Sequence, residues 1–222
     1  MQAITDTKHL TVQTLPPILV LTGEDVGQFE WLKKDILKKI GYDPSDLNYS
    51  YFDMKEASYA EVELDLVSLP FFADEKIVIL DHLLDLTTAK KRNLTDEDLK
   101  QFENYLENPS ESTRLVIFAE GKLDSKRRLV KLLKRDAQII EAATPKEQEV
   151  KRYFASQAQE LGIQFVGDSL DQLLLKSGYD FGELQKNLAL LQAYKEDGQI
   201  TLEEIEEVVP KSLQDNIFDL TQ

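Results

Sequence analysis

Residues 17 to 29 read Pro17-Ile18-Leu19-Val20-Leu21-Thr22-Gly23-Glu24-Asp25-Val26-Gly27-Gln28-Phe29. Four consecutive apolar, mostly branched residues, Ile18 to Leu21, suit a strand buried on both faces, the kind that parallel sheets use. Thr22 and Gly23 end it. Val26, Phe29, Leu32, Ile36 and Ile40 then follow a helical period, and Gly41 with Pro44 just beyond supplies a stop signal. Strand, turn and helix make a first βα unit.

Working outward, the same alternation recurs. Asn48-Tyr49-Ser50-Tyr51-Phe52 predicts a second strand, and Tyr59 to Leu66 a short helix carrying Val62, Leu64 and Leu66. Lys76 to Asp81 and Arg114 to Ala119 read as further buried strands. Between them Thr95 and Asp98 form a capping pair for a helix carrying Leu99, Phe102 and Leu106, which Asn108-Pro109 ends. A helix from about Ser125 to Arg135 and a strand at Gln138-Ile139-Ile140 close the series. Strands alternating with helices predict a parallel α/β sheet, helices on both faces, over residues 17 to 141. Residues 1 to 16 show no period and close on Pro16 and Pro17, so they read as a tail or edge element. After Glu141 no strand of that quality appears. Capping pairs Thr144/Glu147, Asp180/Glu183 and Thr201/Glu204 predict helices instead, with Gly162, Gly178 and Gly198 at their stops. Residues 142 to 212 are expected to form a small all-helical domain.

Among the 222 residues, Lys plus Arg number 26 and Asp plus Glu 41, a formal charge of −15. Such a field repels phosphates and argues against a protein whose main business is gripping nucleic acid. Cysteine is absent and there are two histidines, His9 and His82. That removes disulfides, thiolate metal sites and cysteine nucleophiles, and leaves little for triad or metal chemistry. No apolar run approaches the ~20 residues a membrane span needs, and residues 1 to 15 lack a basic start before an apolar stretch. A globular, cytoplasmic protein with no membrane partner is expected.

The turn after the first strand is where a nucleotide-binding α/β protein places its phosphate loop, which needs a glycine nest, a Lys for the β and γ phosphates and a Ser or Thr for magnesium. Here Gly23, Glu24, Asp25 and Gly27 offer two glycines, no Lys-Ser or Lys-Thr pair, and two carboxylates where phosphates would lie. A helix N-terminus stabilised by acidic residues is the simpler account. Ile77 to Leu80 lead into Asp81-His82, keeping an Asp but placing His where a water-polarising Glu would stand. No arginine follows Arg152, and without cysteine there is no Ser-Arg-Cys tripeptide. The architecture of a nucleotide switch is present without its catalytic parts.

Two other segments stand out. Val67-Ser68-Leu69-Pro70-Phe71-Phe72-Ala73 puts Leu, Pro and two Phe in a turn before a strand. Either the rings fold back into the core, or Leu69, Pro70, Phe71 and Phe72 form an exposed anchor for a partner's pocket. Residues 121 to 135 carry Lys122, Lys126, Arg127, Arg128, Lys131, Lys134 and Arg135 against one acid, Asp124. On a helix Arg127, Lys131, Lys134 and Arg135 share one face and Leu129, Leu132 and Leu133 another, giving either a solvated basic face or a phosphate contact.

Taken together, Gly23-Glu24-Asp25, the segment Asp65 to Ala73, Lys122-Leu123-Asp124-Ser125-Lys126-Arg127-Arg128-Leu129, and Gly178-Tyr179-Asp180-Phe181 through Ile200-Thr201-Leu202-Glu203-Glu204-Ile205 resemble, in order, the delta subunit of the bacterial DNA polymerase III clamp loader. Gln185-Lys186-Asn187-Leu188 departs from the family's Glu-Leu-Glu-Lys-Leu. The resemblance implies an AAA+-like α/β domain with a degenerate phosphate loop, a helical lid, and a clamp-binding plug at Leu69, Pro70, Phe71 and Phe72. It further implies a sliding clamp (the beta subunit) as partner, with tau/gamma and delta prime as fellow loader subunits. No cofactor and no ATP hydrolysis by this chain are implied, and DNA is met only in the assembled complex, with Lys122, Lys126, Arg127, Lys131, Lys134 and Arg135 as its possible DNA-facing residues. Residues 213 to 222 would begin a helix toward a collar domain, making the chain an N-terminal fragment. Two other classes stay open: a working ATPase, which needs a phosphate loop, and a nucleic-acid-binding adaptor using residues 122 to 135.

Overall fold

The computed structural model describes residues 1–195 and 198–211, in two compact units, one of residues 2–144 and one beginning at Pro145. The helix expected to begin in residues 213 to 222 lies outside the described residues.

In the first unit, five parallel strands stand in the order β2-β3-β4-β1-β5: β1 Ile18–Gly23, β2 Tyr49–Asp53, β3 Lys76–Asp81, β4 Thr113–Glu120 and β5 Gln138–Glu141. All six residues of β1 are buried. Ile18 and Val20 face one core and Leu19 and Leu21 the other, which is why this strand reads as unbroken apolar sequence rather than alternation. One face is covered by α1 (Gln2–Thr7) and α2 (Val26–Lys39), with Phe29, Leu32, Ile36 and Ile40 buried against the sheet. The other carries α3 (Tyr59–Val67), α4 (Asp96–Glu107) and α5 (Arg128–Asp136). The capping box that Thr95 and Asp98 spell out is formed.

Three local expectations are corrected. Residues 1 to 16, read as a tail or edge element, are the second and not the first, and they include a helix beside the edge strand β5: α1 packs Ala3 into the core, Leu10 and Leu15 follow it, and Lys39 Nζ donates to Thr7 O at 2.9 Å. Six helical residues are too few to display a period. The helix expected from Ser125 starts at Arg128, because Asp124 accepts from Lys126 N at 3.1 Å and holds a turn there, leaving Arg127 as the N-cap. Leu64 does not share the buried face of α3. Tyr59, Val62 and Leu66 do, and an i, i+2 neighbour of Val62 points away from them.

The second unit comprises α6 (Glu147–Glu160), α7 (Ser169–Lys176), α8 (Phe181–Tyr194) and α9 (Leu202–Val208). It is not wholly helical. β6 (Gln164–Phe165) and β7 (Gln199–Ile200) form a parallel pair, too short for any sequence period to announce. Gly198 makes their approach possible, since a Cβ there would lie on the carbonyl oxygen of Gly162. Asp180 and Thr201 cap their helices as expected. Thr144 does not: Lys146 takes the cap position of α6, and Glu149, not Glu147, folds back onto Lys146 N at 2.9 Å.

Candidate partner-binding loop and the closed phosphate turn

The segment 69–74 leaves the C-terminus of α3 and enters β3. Leu69 is 74% exposed, Phe71 89% and Phe72 72%, so none of the three folds back into the core, and Pro70 is half-buried. The two rings sit beside each other, centroids 6.4 Å apart. Leu64 and Val67, one turn apart on the outer face of α3, are exposed too and extend the apolar surface toward the loop. Their i, i+3 spacing on the face opposite Tyr59, Val62 and Leu66 was the available signal. Five large apolar side chains within nine residues form a surface of the kind that marks interaction sites.

The roots of this loop are hydrogen-bonded to the body of the unit. At the C-terminus of α3, where helix carbonyls lack intrahelical partners, Ser68 N donates to Leu64 O at 3.2 Å and Thr113 Oγ1 to Leu66 O at 3.2 Å. Lys76 Nζ donates to Asp65 O and, at 2.7 Å, to Ser68 Oγ. At the other root Arg114 holds Glu75 bidentately at 2.8 and 3.0 Å, and these bonds keep the Glu75 carboxyl below its ordinary range.

At the opposite, carboxyl edge of the sheet, the turn after β1 is closed by its own chain. Gly23 N donates to Gly121 O at 2.9 Å, Gly121 N to Gly23 O at 2.7 Å and Asp25 N to Ala142 O at 3.1 Å. The Asp25 carboxylate caps α2 by accepting from Gln28 N at 2.9 Å, and Gln28 Nε2 donates to Ala143 O at 3.1 Å. The N–H groups of Gly23, Asp25 and Gln28, which a phosphate nest would need, are thus engaged within the protein. Glu24 is exposed and Gly27 half-buried beside this cap.

Asp81, buried at the end of β3, is equally occupied: Lys33 of α2 pairs with it and Tyr51 OH donates to it. Burial, followed by that carboxylate, pushes the Tyr51 hydroxyl far up. Lys33 lies over the Phe118 ring, 5.7 Å from its centroid. His82 adopts φ +57° and its Nδ1 lies 2.9 Å from Asp53 Oδ1. Sequence reading missed the Lys33–Asp81 contact, because nothing local couples positions so far apart. No group of three or more His, Cys, Asp or Glu among the described residues could hold a metal ion, and none of their helices is long and apolar enough to cross a membrane.

The basic run divides in two. Arg127 pairs with Asp124 at 3.2 Å, Arg128 with Glu103 and Glu107, Lys134 donates to Ser125 Oγ at 2.8 Å, and Arg135 pairs with Asp136 at 2.7 Å. Lys122, Lys126 and Lys131 are exposed, and the Lys126 side chain acts on the neighbouring Asp124 carboxylate through its charge. A loop not singled out from sequence lies against this run: Thr88 N donates to Lys122 O at 2.9 Å, and Lys90, Lys91 and Arg92 at its tip are exposed. The buried Asp85 carboxylate closes that loop, accepting from Asn93 N and Leu94 N.

A family model described as DNA polymerase III, delta subunit, matches residues 19–143. The chain is 28% identical over 219 residues to a DNA polymerase III subunit delta of Bacillus subtilis, covering 96% of this chain and 62% of that protein. In three dimensions it is similar to a Bacillus subtilis DNA clamp loader delta protein, with a TM-score of 0.71 at 23% identity, over 99% of this chain and 65% of the other.

Proposed function

The chain belongs to the DNA polymerase III delta-subunit family, and on that premise we propose that it binds the ring-shaped sliding clamp through Leu69, Pro70, Phe71 and Phe72, holding one interface of the ring open for loading onto primed DNA. The observation that carries this reading is the exposed apolar loop itself, set between two hydrogen-bonded roots at the edge of a five-stranded sheet. Each of Leu69, Phe71 and Phe72 moved from water into a pocket yields roughly 1.5 to 3 kcal/mol, against which the loss of rigid-body freedom must be set. A loop whose roots are already ordered loses less on binding, and the fixed φ of Pro70 helps in the same way.

The ATP-driven work of the loader then belongs to its tau/gamma subunits, with delta prime as a further partner, and this chain neither binds nor hydrolyses nucleotide. What supports that is chemical: the turn carries no lysine for the phosphates, and the Asp25 carboxylate occupies the helix N-terminus where a phosphate would sit. Lys122, Lys126 and Lys131 are the cations of the basic run left to meet DNA phosphates within the assembled loader. A titration of the labelled cognate clamp with this chain in the absence of nucleotide tests the reading. Saturable binding whose affinity does not change on adding Mg-ATP is expected. Absence of binding, or binding that requires ATP, would contradict it.

A further inference from the structure

We propose that Lys76 is a positioning residue for the clamp-binding loop, a buried ammonium that closes the loop on itself and fixes the direction in which Leu69, Phe71 and Phe72 are presented. The inference rests on the clamp-binding reading above.

Lys76 is the first residue of β3, yet only 6% of it is exposed. A lysine is rarely so buried unless its charge is compensated. Its backbone forms the loop's C-terminal root, with Lys76 N donating to Ser112 O at 2.9 Å. Its ammonium reaches back to the N-terminal root, donating to Asp65 O and to Ser68 Oγ, with Asp65 Oδ1 at 3.6 Å. One side chain therefore spans the whole excursion from Ser68 to Lys76. Among the described residues, the backbone groups of Leu69 to Asp74 make no hydrogen bonds of their own. The loop's orientation thus derives from its roots, and Lys76 is the residue that joins them.

Arg114 and Glu75 make a second tie, but an exposed one. With side chains 28% and 46% exposed, the pair is screened by solvent and worth little. The buried tie and the exposed tie should therefore differ in effect. Releasing Lys76 lets the loop sample several directions, and apparent affinity falls by the fraction of time the competent one is populated, so a competent fraction near one tenth weakens binding about tenfold.

Lys76→Met keeps the buried aliphatic stem and removes the donors. The expected result is a clamp affinity about tenfold weaker, faster exchange of the hydrogen-bonded root amides of Ser68 and Lys76, and unchanged exchange in β1 and β4. Glu75→Gln should change affinity less than about twofold. Ser68→Ala, which removes one partner and leaves Asp65 O in place, should show the same signature with a smaller loss of affinity, and it decides the matter if Lys76→Met does not fold. Affinity equal to wild type in a variant with faster root-amide exchange would overturn the inference, and so would unaltered root-amide exchange. Phe71→Ala/Phe72→Ala separates this from the reading it rests on. Full binding by that double variant overturns both; weak binding by it beside full binding by Lys76→Met overturns the positioning role alone.

Discussion

A methyl group at Gly23 would lie on the carbonyl of Ala142, in a backbone already holding φ at +124°. Gly23→Ala should therefore destabilise the sheet unit by about 3 kcal/mol, lowering its thermal midpoint by about 6 to 12 °C. Asp25 stands two positions on and acts differently. As N-cap of α2 its carboxylate accepts from Gln28 N, and Asp25→Ala should cost about 1 kcal/mol in urea unfolding. Removing it should not create nucleotide binding, because the lysine that would grip the phosphates is still missing. At this scale the sequence was informative about which side chains the turn carries. The absent Lys-Ser pair and the two acids in the turn could be read directly, whereas the bonds from Gly23 and Asp25 to Gly121 and Ala142 depend on chain segments about a hundred residues away.

Among the elements, α3 with its following loop and α5 with its cations make opposite predictions. Charge reversal at Lys126 and Lys131, both exposed, should leave clamp affinity unchanged and the melting midpoint within about 2 °C of wild type. The same double variant should weaken salt-sensitive DNA retention by a reconstituted loader, measured as a shallower dependence of binding on salt concentration. A pH effect belongs at the root of the loop. Bonding to Arg114 holds the Glu75 carboxyl below its ordinary 4.5. The pair's contribution is therefore present above pH ~4.5 and lost as pH falls through the lowered value. Exposure keeps it small, so wild type and Glu75→Gln should differ by less than about 0.5 kcal/mol at pH 7 and converge in acid unfolding. Element boundaries were legible where a local signal exists, as at Thr95 with Asp98. They were not where tertiary contacts decide, as for α1, held by burial of Ala3 and by Lys39 reaching Thr7 O. The apolar turn was visible in sequence; Lys76 was not, since a lysine opening an apolar strand reads as a solvated end.

Across the whole molecule, the buried apolar runs of β1, β3 and β4 in alternation with helical periods made the parallel sheet readable, and the helical change after Glu141 was equally plain. The parallel pair β6 and β7 escaped because two residues carry no period. The architecture is a five-stranded parallel α/β sheet whose turn after β1 is closed by its own chain and which exposes an apolar loop at the opposite end of its strands. Isothermal titration with Mg-ATP should accordingly give no heat of binding at micromolar concentrations. The most direct test of the account is surface plasmon resonance of the cognate sliding clamp over the immobilised chain, wild type beside Phe71→Ala/Phe72→Ala, with each protein's melting curve. Loss of two rings that the clamp would bury predicts affinity weakened by more than about a hundredfold, with the midpoint unchanged to within about 2 °C because both rings are exposed in the free chain. Clamp binding at wild-type strength by the double variant, or a midpoint many degrees lower, would contradict it.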